Sequence, residues 1–195
     1  TMSDCFFDPP RHELDRLGAV FRAYDDAGIR ANVSSGVMNI HTLDALPDEP
    51  LVFFKPQSAV VGPEEAIRVP SWAGRIEHEA ELAVVIGKRA SRVNASSAMD
   101  YVLGITCFND VTARELQAKD GQYSRAKGFD TFCPIGPCIA VGLDPSSLGV
   151  EGWVNGERRH NSNTRELIFP VPYLIAHVSR FMTLNPGDVI TTGTP

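Results

Sequence analysis

The residues with the clearest capacity for chemistry lie between Arg75 and Lys88, a stretch that reads RIEHEAELAVVIGK. Glu77, Glu79 and Glu81 alternate with His78, Ala80 and Leu82, and Ala83 to Ile86 then runs apolar up to Gly87. Alternation at period two places the three glutamates on one face of a strand, with same-face neighbours roughly 6.5–7 Å apart. Two such carboxylates at about 5 Å repel by roughly 3 kcal/mol at an effective dielectric near 20. Water relieves that repulsion on a solvated polar face; a cation relieves it in an interior. The glutamates lead directly into an apolar run, which favours the cation.

A cation held this way needs a third acid. Asp110 follows the apolar stretch Val102 to Phe108, where a carboxylate is costly unless paired or metal-bound. Its place just before Thr112 also suits a helix N-cap, so both roles stay open. Three carboxylates without a thiolate or imidazole cluster select a hard cation, Mg²⁺ or Mn²⁺ ahead of Ca²⁺. Three protein oxygens also leave open positions, as a catalytic metal requires. Lys127, within SRAKGFDTFCP, reads locally as a solvated lysine. His78 alternates away from the glutamates and reads as a packed or supporting residue; His177 reads as structural, and His160 and His12 follow no pattern.

The elements that must position these groups are short. Residues 11–28 carry helical spacing, with Leu14, Leu17, Val20, Phe21 and Tyr24 on one face and Gly28 as a stop. Residues 29–48 show little pattern. Leu51 to Phe54 reads as a buried strand with Lys55 at its mouth, and residues 56–70 as loop. Ser96 or Ser97 caps a short helix through Tyr101. Strand Val102 to Phe108, helix Thr112 to Lys119, loop Gly121 to Pro137 and strand Cys138 to Val141 follow. Asn155-Gly156 gives the strongest hairpin signal in the chain. Val171 to Thr183 is the clearest helix, with Val171, Leu174, Ile175, Val178 and Phe181 on one side, and Asp188 opens a last strand. This order predicts an α+β, sheet-dominated fold.

At 195 residues the chain can bury a sizeable core. Hydrophobic residues make up 43% and charged residues 22%, so a globular protein is expected. A net charge of −6 without a basic cluster argues against nucleic-acid or anionic-membrane partners. No apolar run approaches the ~20 residues of a membrane-spanning helix. The four cysteines lack C-x-x-C spacing, which suggests reduced thiols and a cytoplasmic setting. The opening TMSDCFFDPP lacks the pattern of a signal peptide, and the closing DVITTGTP ends as a strand and turn with a continuation expected beyond it.

Several motifs in order carry a resemblance. KPQSAVVGP (55–63), HEAELAVVIGK (78–88), AMDYVLGITCFNDVTARELQ (98–117), AKGFDTFCPIGP (126–137), VNGE (154–157) and LNPGDVITTGTP (184–195) resemble the fumarylacetoacetate hydrolase superfamily. Within it, the chain looks most similar to acylpyruvate hydrolases, oxaloacetate decarboxylase-like members and homoprotocatechuate-pathway isomerase/decarboxylases. The resemblance implies a mixed β-sandwich roll, a homodimer, and one Mg²⁺ or Mn²⁺ per site. It divides the chain into an N-terminal segment, 1–49, and a catalytic domain, 50–195. It assigns Glu79, Glu81 and Asp110 as metal ligands, and sets Lys127, Gln117 and Thr194 around the 2-oxo-acid end of a substrate. The family's G-x-N-Y-x-x-H-x-x-E segment, whose His and Glu activate a water, is met here only by Gly36 to His41 (GVMNIH). That stretch lacks the Tyr and changes the Asn–His spacing, which leaves His41 as the nearest candidate for the catalytic histidine.

The expected activity is Mg²⁺-dependent hydrolysis of a C–C bond in acylpyruvate-like 2,4-diketo acids. Decarboxylation or isomerisation of 2-oxo acids on the same site is the alternative. A third reading is a metal- and carboxylate-binding relative without catalysis, motivated by the mismatch around Gly36.

Overall fold

The computed structural model describes residues 3–6, 33–36 and 48–195. The expected helix over 11–28 and His41 lie outside the described residues. Strands β1 (Ser3–Phe6) and β2 (Val33–Gly36) come from the N-terminal part, and β2 lies in a region read from sequence as unpatterned. Then follow β3 (Val52–Lys55), β4 (Val60–Val61), β5 (Ile76–Glu77), β6 (Ala80–Ile86), β7 (Val102–Asn109) and β8 (Thr112–Ala113). Two short helices, α1 (Arg114–Asp120) and α2 (Ser124–Lys127), lead to β9 (Cys133–Ala140) and the hairpin β10 (Gly149–Val154) and β11 (Glu157–Asn163). Helix α3 (Val171–Ser179) and strand β12 (Val189–Thr191) complete the described elements.

The main sheet has the order β3-β2-β12-β6-β7-β9-β4, with β2 parallel to β12, β4 parallel to β9 and the other pairs antiparallel. Strands β1, β10 and β11 form a second sheet, and β5 with β8 a third. Sheet dominates and the helices are few and short, which makes the fold the α+β, sheet-rich type expected. Among the described residues no helix is long and apolar enough to cross a membrane.

Strand β6 is buried along its whole length. Leu82, Val84 and Ile86 enter one core with Ile105, Val171, Ile175, Val178 and Ile190; Ala83 and Val85 enter another with Phe108, Cys133 and Val189. A strand covered on both faces needs a continuous apolar run, and the AVVI sequence supplies it. The second sheet approaches β6 at Gly152, where an added Cβ would lie 3.2 Å from the Ala80 Cβ. The β10–β11 turn holds Asn155 at φ 53° and Gly156 at φ 79°, the left-handed pair that an Asn-Gly hairpin needs.

Four local expectations change. The glutamate strand is broken, because β5 pairs with β8 while β6 pairs with β7. Thr112 and Ala113 are extended, so α1 starts at Arg114; its N-cap is Ala113 with no side-chain cap bond, and Asp110 is therefore no cap. Strand β9 begins at Cys133, five residues ahead of expectation, because parallel pairing with β4 extends it. Helix α3 stops at Ser179, whose hydroxyl accepts from the Val93 N–H and donates to the Ala176 carbonyl; Phe181 is consequently 58% exposed and not on the buried side.

Ile175 is fully buried between α3 and the main sheet. Its replacement by Ala is expected to destabilise the fold by about 2–5 kcal/mol, read from urea unfolding midpoints. A loss well below this range would mean that α3 does not close the main core.

Candidate active site

Backbone pairing brings the acidic residues together. The β6–β7 ladder matches Ala80 with Asn109 and Glu81 with Phe108. One step beyond, the Asp110 N–H donates to the Glu79 carbonyl at 2.9 Å, and the Glu79 N–H to the Asn109 Oδ1 at 3.0 Å. Glu79 and Asp110 therefore stand side by side where the two strands leave the sheet. Glu81 shares a face with Ala83 and Val85 and is 1% exposed. One ligand oxygen or more from each of Glu79, Glu81 and Asp110 lies within 4.8 Å of the others. That separation matches the width of one cation's coordination shell, given metal–oxygen distances of about 2.0–2.6 Å.

Buried carboxylates at such spacing require positive charge, and three elements deliver it. Lys55, the last residue of β3, places Nζ 2.5 Å from Asp110 Oδ1. Lys127, the last residue of α2, places Nζ 2.7 Å from Glu79 Oε2 and 2.5 Å from Asp110 Oδ2. Its ammonium also lies 5.0 Å from the centre of the Phe53 ring, which Tyr123 meets edge-on. Arg114, the first residue of α1, pairs with Glu79 and donates to Glu77 Oε2 at 2.6 Å. The TTGTP run adds a neutral donor: the Gly193 N–H reaches Glu81 Oε2 at 3.1 Å.

These surroundings split the carboxylates. Burial, then the charges of Asp110 and Glu79, push Glu81 well above the usual carboxylate range, against the opposing pull of Lys127 and the Gly193 N–H. Burial would raise Asp110 too, but Lys55 and Lys127 together hold it below its ordinary value. Burial works against the charge on Lys127, yet Asp110, Glu79 and Glu81 outweigh it and keep the ammonium protonated. Burial pushes the Cys133 thiol up to about 12, so it offers no thiolate to a metal. The donor set is three hard oxygens, which fits a divalent cation of the Mg²⁺ or Mn²⁺ kind.

The structure thus draws Glu79, Glu81, Asp110 and Lys127 into one cluster. Lys127 is 3% exposed, unlike the solvated lysine its local sequence suggests. Gln117 joins through Arg114, whose Nη1 donates to Gln117 Oε1 at 2.9 Å. Thr194 follows Gly193, and its buried hydroxyl has no hydrogen-bond partner among the described residues. Glu77 stands apart from the triad, bound by Arg75 and Arg114. His78 is half-buried, with its pKa lowered chiefly by burial. Sequence reasoning gave no role to Lys55 or Arg114. A lysine closing an apolar strand, and an arginine four residues after a buried aspartate, were the available signals.

The model of the fumarylacetoacetate (FAA) hydrolase C-terminal family matches residues 19–195. The chain belongs to the fumarylacetoacetate hydrolase family. An uncharacterised protein of Archaeoglobus fulgidus is 55% identical over 150 residues, covering 77% of this chain and 60% of that protein. The mitochondrial oxaloacetate tautomerase fahd2 of Xenopus laevis is 46% identical over 155 residues, covering 77% of this chain and 49% of its own. The chain therefore spans about half to three-fifths of these relatives. The crystal structure of 5-carboxymethyl-2-hydroxymuconate delta-isomerase from Mycobacterium smegmatis matches with a TM-score of 0.79 at 44% identity, over 85% of this chain and 68% of that one. A 2-hydroxyhepta-2,4-diene-1,7-dioate isomerase from Mycobacterium marinum matches equally, with a TM-score of 0.79 at 43% identity, over 85% and 64% of the two chains.

The raised Glu81 carboxyl has a signed consequence for stability. A carboxyl whose folded pKa exceeds its unfolded value contributes stability below the unfolded pKa and loses it as pH rises through the folded one. In metal-free buffer, stability is expected to fall as pH rises above the ordinary carboxylate range, and Glu81→Gln to remove that part of the decline. Urea unfolding of both proteins in chelator measures this; parallel pH profiles would contradict the assignment.

Proposed function

We propose that this family member is a divalent-metal-dependent enzyme acting on a small 2-oxo acid through its enol form. The observation that carries this reading is the convergence of three buried carboxylates with the Lys127 ammonium. When bound by Glu79, Glu81 and Asp110, Mg²⁺ or Mn²⁺ supplies Lewis-acid stabilisation of charge on the keto and carboxylate oxygens of such a substrate. Lys127 adds a fixed positive charge from a site where it costs no reorganisation during reaction. Held protonated, Lys127 stabilises charge and does not act as a base. The Thr194 hydroxyl and the Gln117 amide, the latter oriented by Arg114, supply neutral hydrogen bonds for the substrate's carboxylate end.

Keto–enol or double-bond isomerisation is the first reading, because charge stabilisation at the enol is what the described residues support. The names of the Xenopus and mycobacterial relatives, a tautomerase and two isomerases, point the same way. Hydrolytic C–C cleavage of an acylpyruvate-like 2,4-diketo acid is the second, favoured by the sequence motifs. It adds a demand for a base that activates water, the role set for His41. Decarboxylation of oxaloacetate-type acids shares the enol step and needs no water.

The experiment follows enol oxaloacetate and an acylpyruvate by ultraviolet absorbance, with Mg²⁺, with Mn²⁺ and in chelator. Metal-dependent loss of the enol signal is expected. Acylpyruvate cleavage without acceleration of tautomer exchange would put hydrolysis first, and no turnover of either would contradict an enzymatic role. Lys127→Ala is expected to lower kcat by roughly 10²–10³-fold with metal binding retained, and Glu81→Ala to abolish metal-dependent activity. Undiminished turnover in chelator would contradict both.

A further inference from the structure

Three buried polar atoms without a hydrogen-bond partner among the described residues belong to side chains around one spot: His78 Nδ1, Asn109 Nδ2 and His160 Nε2. The spot is Gly152, where the second sheet meets β6. A β-carbon on Gly152 would lie 3.2 Å from each of Ala80 Cβ, His160 Cβ and His78 Cε1. His78 Nδ1 is bonded to that Cε1 and so borders the same gap. His160 stands directly opposite Gly152 across the β10–β11 ladder. Asn109 pairs directly with Ala80 across β6 and β7, shares its face, and is 2% exposed. The Glu79 N–H takes Asn109 Oδ1 at 3.0 Å, which fixes the orientation of the amide and leaves Nδ2 as the unused group. Ala80 alternates with Glu81, so this cleft lies on the face of β6 and β7 opposite the three carboxylates.

We propose that His78 Nδ1 and His160 Nε2 form a second metal site, for a borderline transition ion of the Zn²⁺ kind, on that opposite face. A hydrogen bond between the two rings would satisfy both nitrogens, but none forms. An imidazole titrates near pH 6.5 in the ordinary case, so at neutral pH each ring offers a lone pair. Neutral imidazole is a good ligand for Zn²⁺, Cu²⁺ and Ni²⁺ and a poor one for Mg²⁺, which prefers oxygen. Local charge also favours a cation: the carboxylates of Glu77 and Glu79 both act on His78, against the single opposing charge of Arg159. Two protein nitrogens leave further positions of a tetrahedral shell to small ligands. Asn109 Nδ2 is a donor and no metal ligand, and it is suited to hold a small anion that completes the shell. One ion with its anion thus satisfies all three orphaned atoms, and buried polar groups are seldom left unpaired.

The test is calorimetric titration of the full chain with Zn²⁺ in excess Mg²⁺, which competes for carboxylate oxygens and not for imidazole. One Zn²⁺ per chain is expected to bind. His160→Gln and His78→Gln are each expected to weaken it by about 100-fold or more, since losing a ligand costs at least as much as losing a residue that supports one. Glu81→Gln is expected to leave Zn²⁺ uptake unchanged. Should His78→Gln fail to fold, His160→Gln on the half-buried β11 decides alone. Cu²⁺ titrated in place of Zn²⁺ is expected to show paramagnetic resonance lines split by two nitrogens. Zn²⁺ affinity unchanged in folded His160→Gln, or no uptake in excess Mg²⁺, would overturn the proposal. Uptake lost in Glu81→Gln but kept in His160→Gln would overturn it too, by placing the ion on the carboxylates.

Discussion

Charge compensation inside the protein governs the rest of the structure. Three carboxylates within 4.8 Å of one another occupy an interior where Glu81 and Asp110 are each 1% exposed. With all three ionised, their mutual repulsion would amount to roughly 3 kcal/mol per pair at an effective dielectric near 20, before any cost of leaving water, and the raised pKa of Glu81 relieves part of it. Lys55, Lys127 and Arg114 offset it, and each arrives on a different element. The end of β3, the end of α2 and the start of α1 must therefore all meet the ends of β6 and β7. Removing one partner of such a buried set strands the other as an uncompensated charge, at about 3–5 kcal/mol. The site and the fold are coupled through this arithmetic.

The scaffold that holds these charges is rigid for an ordinary reason. Strand β6 is packed on both faces, and β7 and β12 flank it with matched registers. Glu81 cannot turn without disturbing the alternation that seats Ala83 and Val85. The chain after β12 runs beside it, so Gly193 reaches Glu81 by following the same pairing. Around Lys127, Phe53 and Tyr123 form an aromatic wall, while Phe129 and Phe132 pack with Val111 and Ala113 behind the loop. Such packing fixes the ammonium to a small region, which is what electrostatic preorganisation requires.

Much of this was legible in the amino-acid order because local rules and tertiary demands agreed. The AVVI run named the doubly covered strand, Asn155-Gly156 named the hairpin, and Val171, Leu174, Ile175 and Val178 named the buried face of α3. Glu77, Glu79, Glu81 and Asp110 stood out because acids beside apolar runs need a reason, and the family resemblance narrowed them to Glu79, Glu81 and Asp110. What stayed hidden depends on partners distant in sequence. The break at His78 arises because Glu77 pairs with Thr112 while Ala80 pairs with Asn109, a choice made between two sheets. Lys55 lies 55 residues from Asp110, so its place at the end of an apolar strand hints at an interior lysine without naming the acid it meets. Lys127 misled for the same reason, since its glycine-flanked loop resembles surface until the acids are placed beneath it. Arg114 fell inside the helix expected from Thr112 to Lys119, whereas β8 takes Thr112 and Ala113 and draws Arg114 inward.

Anomalous diffraction from a crystal of the full chain soaked in Mn²⁺ tests the central claim most directly. The account predicts one strong peak bounded by the carboxylates of Glu79, Glu81 and Asp110, with Lys55 still on Asp110. A peak held by other residues, or carboxylates bound only to lysine and arginine at saturating Mn²⁺, would contradict it.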